Sequence, residues 1–263
     1  MIKALTASRE PKPLQRNDLS RQLNRLILAE ENESPPWCTS LEASTCWDFP
    51  YQSPDGSAFG SNRYKGCTPA MAVWNLLRRY TRPGDLVVDC MAGSGTTIDV
   101  SRALGRRAIG LDLKPSRPDI AKNDARHLPF EDDSVDFHFV DSPYSDNLRY
   151  SGDGRCIGKI PADSEQFFME IGKVAAEIRR TLKPGRHVAW VISDEYKRGR
   201  YTPVGFKVHG ILSRLFEPVD TIILVRHHDS GSNPMWEHKA RERNFFLRGF
   251  KYLFIMRKIA REV

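Results

Sequence analysis

The chain has no apolar run close to the ~20 residues that a membrane span needs, so no membrane partner is expected. The N-terminal stretch Met1 to Arg16 lacks an apolar core and does not read as a secretory signal. Cysteine is scarce: Cys38, Cys46, Cys67, Cys90 and Cys156 are odd in number and include no CxxC pair. They read as free thiols in a reducing compartment, which implies a cytoplasmic protein. His227 and His228 are adjacent but have no Cys or carboxylate set at ligand spacing, so no metal is expected. No Ser/His/Asp constellation, internal repeat or low-complexity tract is evident.

What is present fits a folded domain with a substantial core. The chain has 263 residues, 40% hydrophobic and 28% charged, with a net charge of +7. The basic surplus favours an anionic partner, nucleic acid first. Residues 1–60 read as an N-terminal arm, and residues 61–263 as the main domain. In the arm, Leu19, Leu23, Leu26, Ile27 and Leu28 give Asp18 to Glu30 one apolar helical face. Beyond it lie Trp37, Trp47, Phe49, Tyr51 and Phe59 in a Ser, Pro and Gly-rich stretch. These aromatics either pack against the main domain or help to hold a substrate.

From Thr68 the pattern alternates. Helices are expected over Met71–Arg79, Thr97–Leu104, Asp163–Leu182 and Val204–Phe216. Strands are expected over Leu86–Asp89, Arg107–Leu111, Val135–Asp141, His187–Ile192, Asp220–Val225 and Lys251–Met256. Turns are expected at Arg82-Pro83-Gly84-Asp85 and Lys183-Pro184-Gly185. Such alternation implies an α/β doubly wound, Rossmann-like sheet with ligands at the carboxyl ends of its strands.

Two strand ends carry the chemistry. The first enters Asp89-Cys90-Met91-Ala92-Gly93-Ser94-Gly95-Thr96-Thr97. Its glycines permit a tight turn and close approach of backbone to ligand. It is neither GxGxxG nor a P-loop, which would end in Gly-Lys-Ser/Thr. Asp112 follows Gly93 by nineteen residues, beside Leu113. It can accept from two ribose hydroxyls or serve only as a helix cap. Asp124-Ala125 ends the next segment; Asp124 can accept from an adenine amino group or be a turn residue.

The second strand ends in Asp141-Ser142-Pro143-Tyr144. An exocyclic amine on a base is a poor nucleophile because its lone pair is delocalised into the ring. An acceptor taking one N–H out of the ring plane helps to localise that pair. Asp141 is one such acceptor, and the Ser142 carbonyl, fixed by Pro143, is a second. Tyr144 offers a stacking face.

These residues resemble the amino-directed (N6-adenine or N4-cytosine) DNA methyltransferases. That family uses S-adenosylmethionine, and its motifs commonly read Asp-Pro-Phe-Ala-Gly-Ser-Gly-Thr-Thr and Asp-Pro-Pro-Tyr. Here Cys90-Met91 replace Pro-Phe, and Ser142 replaces the first Pro of the tetrad. The resemblance covers roughly Gly66 to Lys258 and implies a class I methyltransferase sheet. It assigns Asp141, Ser142, Pro143 and Tyr144 to catalysis. It assigns Asp89, Met91 to Thr97 (Ala92, Gly93, Ser94, Gly95 and Thr96 between), Asp112, Leu113, Asp124 and Ala125 to the cofactor. Thr68, in Gly66-Cys67-Thr68-Pro69, falls where that family closes over the methionine end.

Residues Ser145 to Ala162, with Asn147, Arg149, Tyr150, Arg155 and Lys159, are expected to be a mobile loop bordering the base pocket, or a simple solvent loop. Near the C-terminus, Lys239, Arg241, Arg243 and Arg248 interleave with Trp236, Phe245 and Phe246. This suits phosphate contact with stacking, and equally a solvated helix with core aromatics. The Arg248-Gly-Phe-Lys-Tyr252 run also resembles the DNA family. DNA is favoured as substrate, with structured RNA such as ribosomal RNA as the alternative. A non-catalytic nucleic-acid binder and a small-molecule methyltransferase are the competing classes. Base identity, target sequence and oligomeric state are not specified by the sequence.

Overall fold

The structure is a computed structural model. It describes residues 40–53, 59–61, 66–146, 148, 150–227 and 234–259. The expected helix Asp18–Glu30, and Trp37, Cys38, Asn147, Arg149 and His228, lie outside these residues.

The elements run β1 (Cys46–Trp47), α1 (Ala70–Tyr80), β2 (Leu86–Asp89), α2 (Thr96–Ala103), β3 (Arg107–Asp112), β4 (Ile120–Lys122) and β5 (Val135–Asp141). Then follow a short 3-10 turn (Ile157–Lys159), α3 (Glu165–Thr181), β6 (Leu182–Ile192), β7 (Glu195–Lys197) and β8 (Arg200–Thr202). The last are α4 (Val204–Leu212), β9 (Glu217–Val225), α5 (Pro234–Glu242) and β10 (Phe250–Arg257). Eight strands form one sheet in the order β1-β9-β10-β6-β5-β2-β3-β4. All neighbours are parallel except β10, which is antiparallel to both β6 and β9.

Strand alternation sorts the core onto two faces. Val88, Val140 and Trp190 point to one face, where they meet Phe167, Ile171, Val174 and Ile178 of α3 and Val204 and Val208 of α4. Val87, Phe139 and Val191 point to the other, against Val73, Trp74, Leu76 and Leu77 of α1. A sheet covered on both faces buries every residue of β2, hence the unbroken apolar run Leu86-Val87-Val88.

The expected boundaries hold for β2 and β5 and lie within a few residues elsewhere, with three corrections. Lys183-Pro184-Gly185 is not a turn that separates helix from strand. β6 starts at Leu182, and the segment is an irregularity within it: Leu182 faces Val135, and pairing resumes at His187 opposite Phe137. Gly185 has φ 75° there, a conformation that suits glycine. Helix α4 ends at Leu212, and Phe216 lies beyond it, buried. Helix α3 begins at Glu165 rather than Asp163, because Ser164 caps it by accepting from the Phe167 amide. In the arm, Cys46–Trp47 joins the sheet edge parallel to β9, with Trp47 buried. No helix among the described residues is long and apolar enough to cross a membrane.

Candidate active site

Strands β2, β3 and β5 are parallel neighbours, so their carboxyl ends, Asp89, Asp112 and Asp141, open at one side of the sheet. A cleft of about 990 Å³, open mouth included, lies there.

The glycine-rich turn forms its floor. Gly93 and Gly95 have φ 48° and 87°, the left-handed region that costs a glycine little. Gly95 caps α2 and does not line the cleft, but its conformation shapes the turn. The Gly93 amide donates to Asp112 Oδ2 at 3.0 Å, and the Lys114 amide to Oδ1 at 2.8 Å. Asp112 is thus fixed by backbone donors, with lone pairs remaining on both oxygens for a ligand. Burial raises its pKa, and the two amides oppose that shift. Asp89, buried beneath the turn, accepts from the Met91 amide at 3.0 Å. Burial pushes its pKa up to about 7, against the pull of Thr97 and of the Met91 amide.

Met91, Ala92, Ser94, Thr96, Thr97, Leu113, Asp124 and Ala125 also line the cleft. Asp124 is held by Arg126, whose Nη2 lies 2.6 Å from Oδ2 and whose Nε and amide both reach Oδ1. Arg126 also pairs with Glu170. Desolvation raises the Asp124 pKa, but the Arg126 contacts outweigh it and the net shift is downward. Asp124 opens a turn, its carbonyl accepting from the His127 amide, and its carboxylate is anchored by Arg126 at the cleft wall.

On the β5 side, Asp141, Pro143 and Tyr144 line the cleft. Asp141 Oδ2 accepts from Thr68 Oγ1 at 2.7 Å and from Lys251 Nζ at 3.1 Å. Thr68 lines the cleft, and its hydroxyl is given to the acid of the tetrad. Ser142 does not line the cleft. It is buried, and its Oγ accepts from Trp190 Nε1 at 2.9 Å. Tyr144 carries the Arg226 guanidinium 5.8 Å from its ring centre. From the loop after the tetrad, Tyr150, Ser151, Cys156 and Ile157 reach the cleft, whereas Arg155 pairs with Asp153 and Lys159 with the Gly152 carbonyl.

A second, larger groove meets the cleft at Gly66, Cys67 and Tyr144. It is bordered by Arg226, Arg248 and Lys251 and by aromatics including Phe49, Trp236 and Phe245. Tyr196 and Phe245 stack, with ring centres 4.7 Å apart. Lys239, which packs over Trp236, Arg241, which pairs with Glu237, and Arg243 do not line the groove themselves. His227 pairs with Asp48. Among the described residues no cluster could hold a metal, and Cys46, Cys67, Cys90 and Cys156 are free.

Sequence reasoning missed Lys251 as a site residue. The signal was a single cation in the apolar strand Phe250-Lys251-Tyr252-Leu253-Phe254-Ile255-Met256. Because β10 runs antiparallel, its first residues lie at the ligand end of the sheet.

A family model described as DNA methylase, of the N6/N4 type, matches residues 9–123. The match takes in the glycine-rich turn and Asp112 and ends before the tetrad. The chain is 44% identical over 45 residues to the type II methyltransferase M1.MboII of Moraxella bovis, 17% of each protein. It is 34% identical over 80 residues to the ribosomal protein L11 methyltransferase of Thermus thermophilus, covering 30% of this chain and 29% of that protein. The matched stretches thus span less than a third of either curated relative. Among solved structures, TrmN from Thermus thermophilus matches with TM-score 0.50 and 18% identity, over 74% of this chain and 50% of that one. The [4+2]-cyclase SpnF matches with TM-score 0.50 and 13% identity, over 76% and 87%. These two solved structures share the fold of this chain, and their differing names show that the fold does not fix the chemistry.

Proposed function

From the premise that this chain is a relative of the N6/N4 DNA methylases, whose cofactor is S-adenosylmethionine, we propose that it methylates the exocyclic amine of a base in DNA, adenine N6 or cytosine N4. The observation that carries this reading is that the glycine-rich turn and the Asp141 turn line one cleft. The residues suit the cofactor. Asp112 presents lone pairs for ribose hydroxyls, Gly93 leaves the turn without a side chain, and Met91 is a pliable apolar contact.

When bound, the cofactor supplies an already activated methyl group, so the protein's task is chiefly to position the amine. Asp141 Oδ1, which among the described residues has only one long contact at 3.5 Å, is the atom that accepts an N–H of the target. Tyr144 stacks on the base, and Arg226 behind it holds that ring in place. The methylated amine is acidic enough to lose its extra proton to Asp141 or to water. A base in a duplex must first leave the stack, at a cost of a few kcal/mol. The groove beyond Tyr144, with its cations and aromatic faces, suits the flanking strand.

The test is incubation with methyl-labelled S-adenosylmethionine and, separately, duplex DNA, single-stranded DNA and total RNA, followed by digestion and mass spectrometry of nucleosides. N6-methyladenine or N4-methylcytosine in a DNA pool supports the proposal. Label confined to RNA replaces the substrate, and the absence of cofactor binding removes the enzyme reading.

A further inference from the structure

The Asp141–Lys251 pair has more hydrogen-bonding capacity than its own contacts use. Both side chains are largely buried, at 19% and 8% exposure. A lysine ammonium has three hydrogens and no acceptor. One goes to the Gly66 carbonyl at 2.8 Å and one to Asp141 Oδ2 at 3.1 Å. The approach to Oδ1, at 3.5 Å, is too long for a good bond. No further Lys251 partner exists among the described residues. One ammonium hydrogen and one carboxylate oxygen therefore remain side by side. Asp141 lines the cleft and Lys251 the groove, and the two spaces meet at Tyr144 and at Gly66, whose carbonyl Lys251 holds.

Asp141 does not need Lys251 simply to be satisfied, because Thr68 already donates to Oδ2. Taking an ammonium out of water is costly, and a Thr or Gln could have filled the space with a neutral donor. An acceptor next to a donor is instead the complement of a particular heterocycle edge: an amino group beside an unprotonated ring nitrogen.

Resting on the methyltransferase reading above, we infer that Asp141 and Lys251 together form a base-reading subsite for that edge. Asp141 Oδ1 takes the amine hydrogen and Lys251 Nζ donates to the adjacent ring nitrogen, N1 of adenine or N3 of cytosine. Thymine, uracil and hypoxanthine would set a carbonyl oxygen against the Asp141 carboxylate. Guanine, on its O6 and N1–H edge, presents the same two groups in reversed order. The subsite thus admits both amino bases that the tetrad can serve and excludes thymine, uracil and hypoxanthine, while guanine matches it only on its N2 and N3 edge, beside the sugar. It also orients the ring: cytosine has a ring nitrogen on one side of its amine only, and in adenine the N1 side rather than the N7 side is the one assigned to Lys251.

Oligonucleotides with a single target base test this. One set carries adenine, 1-deazaadenine or 7-deazaadenine; a second carries cytosine or 3-deazacytosine. Methyl transfer is followed with wild-type protein, Lys251→Met and Lys251→Arg. A hydrogen bond from a charged donor predicts a roughly tenfold to hundredfold loss of kcat/KM when N1 or N3 is removed from wild-type substrate, and about threefold or less when N7 is removed. In Lys251→Met the parent base falls to the level of its deaza analogue, so the penalty for the missing nitrogen disappears. This cancellation separates recognition from any change in the amine's intrinsic reactivity. Lys251→Arg, which keeps a donor, retains part of the penalty. Should Lys251→Met fail to fold, judged by cofactor binding, the wild-type and Lys251→Arg comparisons decide. Equal losses for 1-deaza and 7-deaza substrates, or a penalty that persists undiminished in Lys251→Met, would overturn the inference. Wild-type protein silent on every unmodified base would instead overturn the methyltransferase reading, and this subsite with it.

Discussion

Thr68 Oγ1 donates to Asp141 Oδ2 at 2.7 Å across 73 residues of sequence. The segment Gly66-Cys67-Thr68-Pro69, which leads into α1, is thereby tied to the end of β5. Its neighbour Cys67 has its thiol pKa raised, first by burial and then by the Asp141 carboxylate.

A Thr68→Val variant keeps the side-chain shape and removes this donor. Bonds to a charged acceptor contribute about 1.5–3 kcal/mol, so turnover should fall roughly tenfold or more while cofactor affinity changes little. Rates at saturating cofactor, beside calorimetric affinity, would check it. A loss of affinity with unchanged turnover would return Thr68 to a cofactor role.

Asp112→Ala should show the reverse. It removes the acceptor whose two oxygens the Gly93 and Lys114 amides hold in place. Cofactor affinity should weaken by roughly tenfold to hundredfold through loss of charge-assisted bonds. Calorimetry with S-adenosylmethionine measures this directly, and an unchanged Kd would make Asp112 only a brace for the turn.

Much of this site was legible because it depends on short-range chemistry. An apolar run ending in an acid, followed by Gly-Ser-Gly or by Pro-Tyr, identifies β2 and β5 to the residue. The illegible parts depend on distant partners. Short β4 (Ile120–Lys122) and β1 (Cys46–Trp47) are strands only because β3 and β9 pair with them. The Lys183-Pro184-Gly185 segment looks like a stop because its residues are poor strand formers, yet pairing on either side carries β6 through it. Lys251 reads as an interruption in an apolar strand until the antiparallel direction of β10 sets it beside Asp141.

Asp89 makes stability depend on pH with a definite sign. Burial holds its folded pKa near 7, above the ordinary carboxylate range. Between about pH 4 and 7 the unfolded chain therefore binds fewer protons at this residue than the folded one. Its contribution to stability is largest at low pH and is lost as pH rises through 7. His138, buried and held to about 3 by desolvation, acts in the opposite direction below neutral pH. The comparison with Asp89→Asn removes that background. The variant cannot ionise, and its thermal midpoint minus that of wild type should grow from pH 5 to pH 8 and then level off. The full span is at most a few kcal/mol. A flat difference would mean that Asp89 is ionised in the fold throughout.

The departure of this tetrad from Asp-Pro-Pro-Tyr has a local physical counterpart in Trp190. That indole is fully buried in β6, and its Nε1 donates to Ser142 Oγ at 2.9 Å. Proline at 142 would offer no acceptor, and a buried indole N–H left unpaired costs about 1–3 kcal/mol. Ser142→Ala should therefore destabilise the fold by about that amount in denaturant titration, although the change itself is small. Trp190→Phe leaves most of the ring packing in place and removes the donor, so it also carries a cost of its own. The double variant leaves neither group unpaired, and its loss should be smaller than the sum of the two single losses by about 1 kcal/mol or more. Because the bond anchors the residue between Asp141 and Pro143, both single variants should also lower turnover several-fold with cofactor affinity retained. Strictly additive stabilities would mean that the hydroxyl and the indole are neighbours without coupling, and that Ser142 is held by its backbone alone.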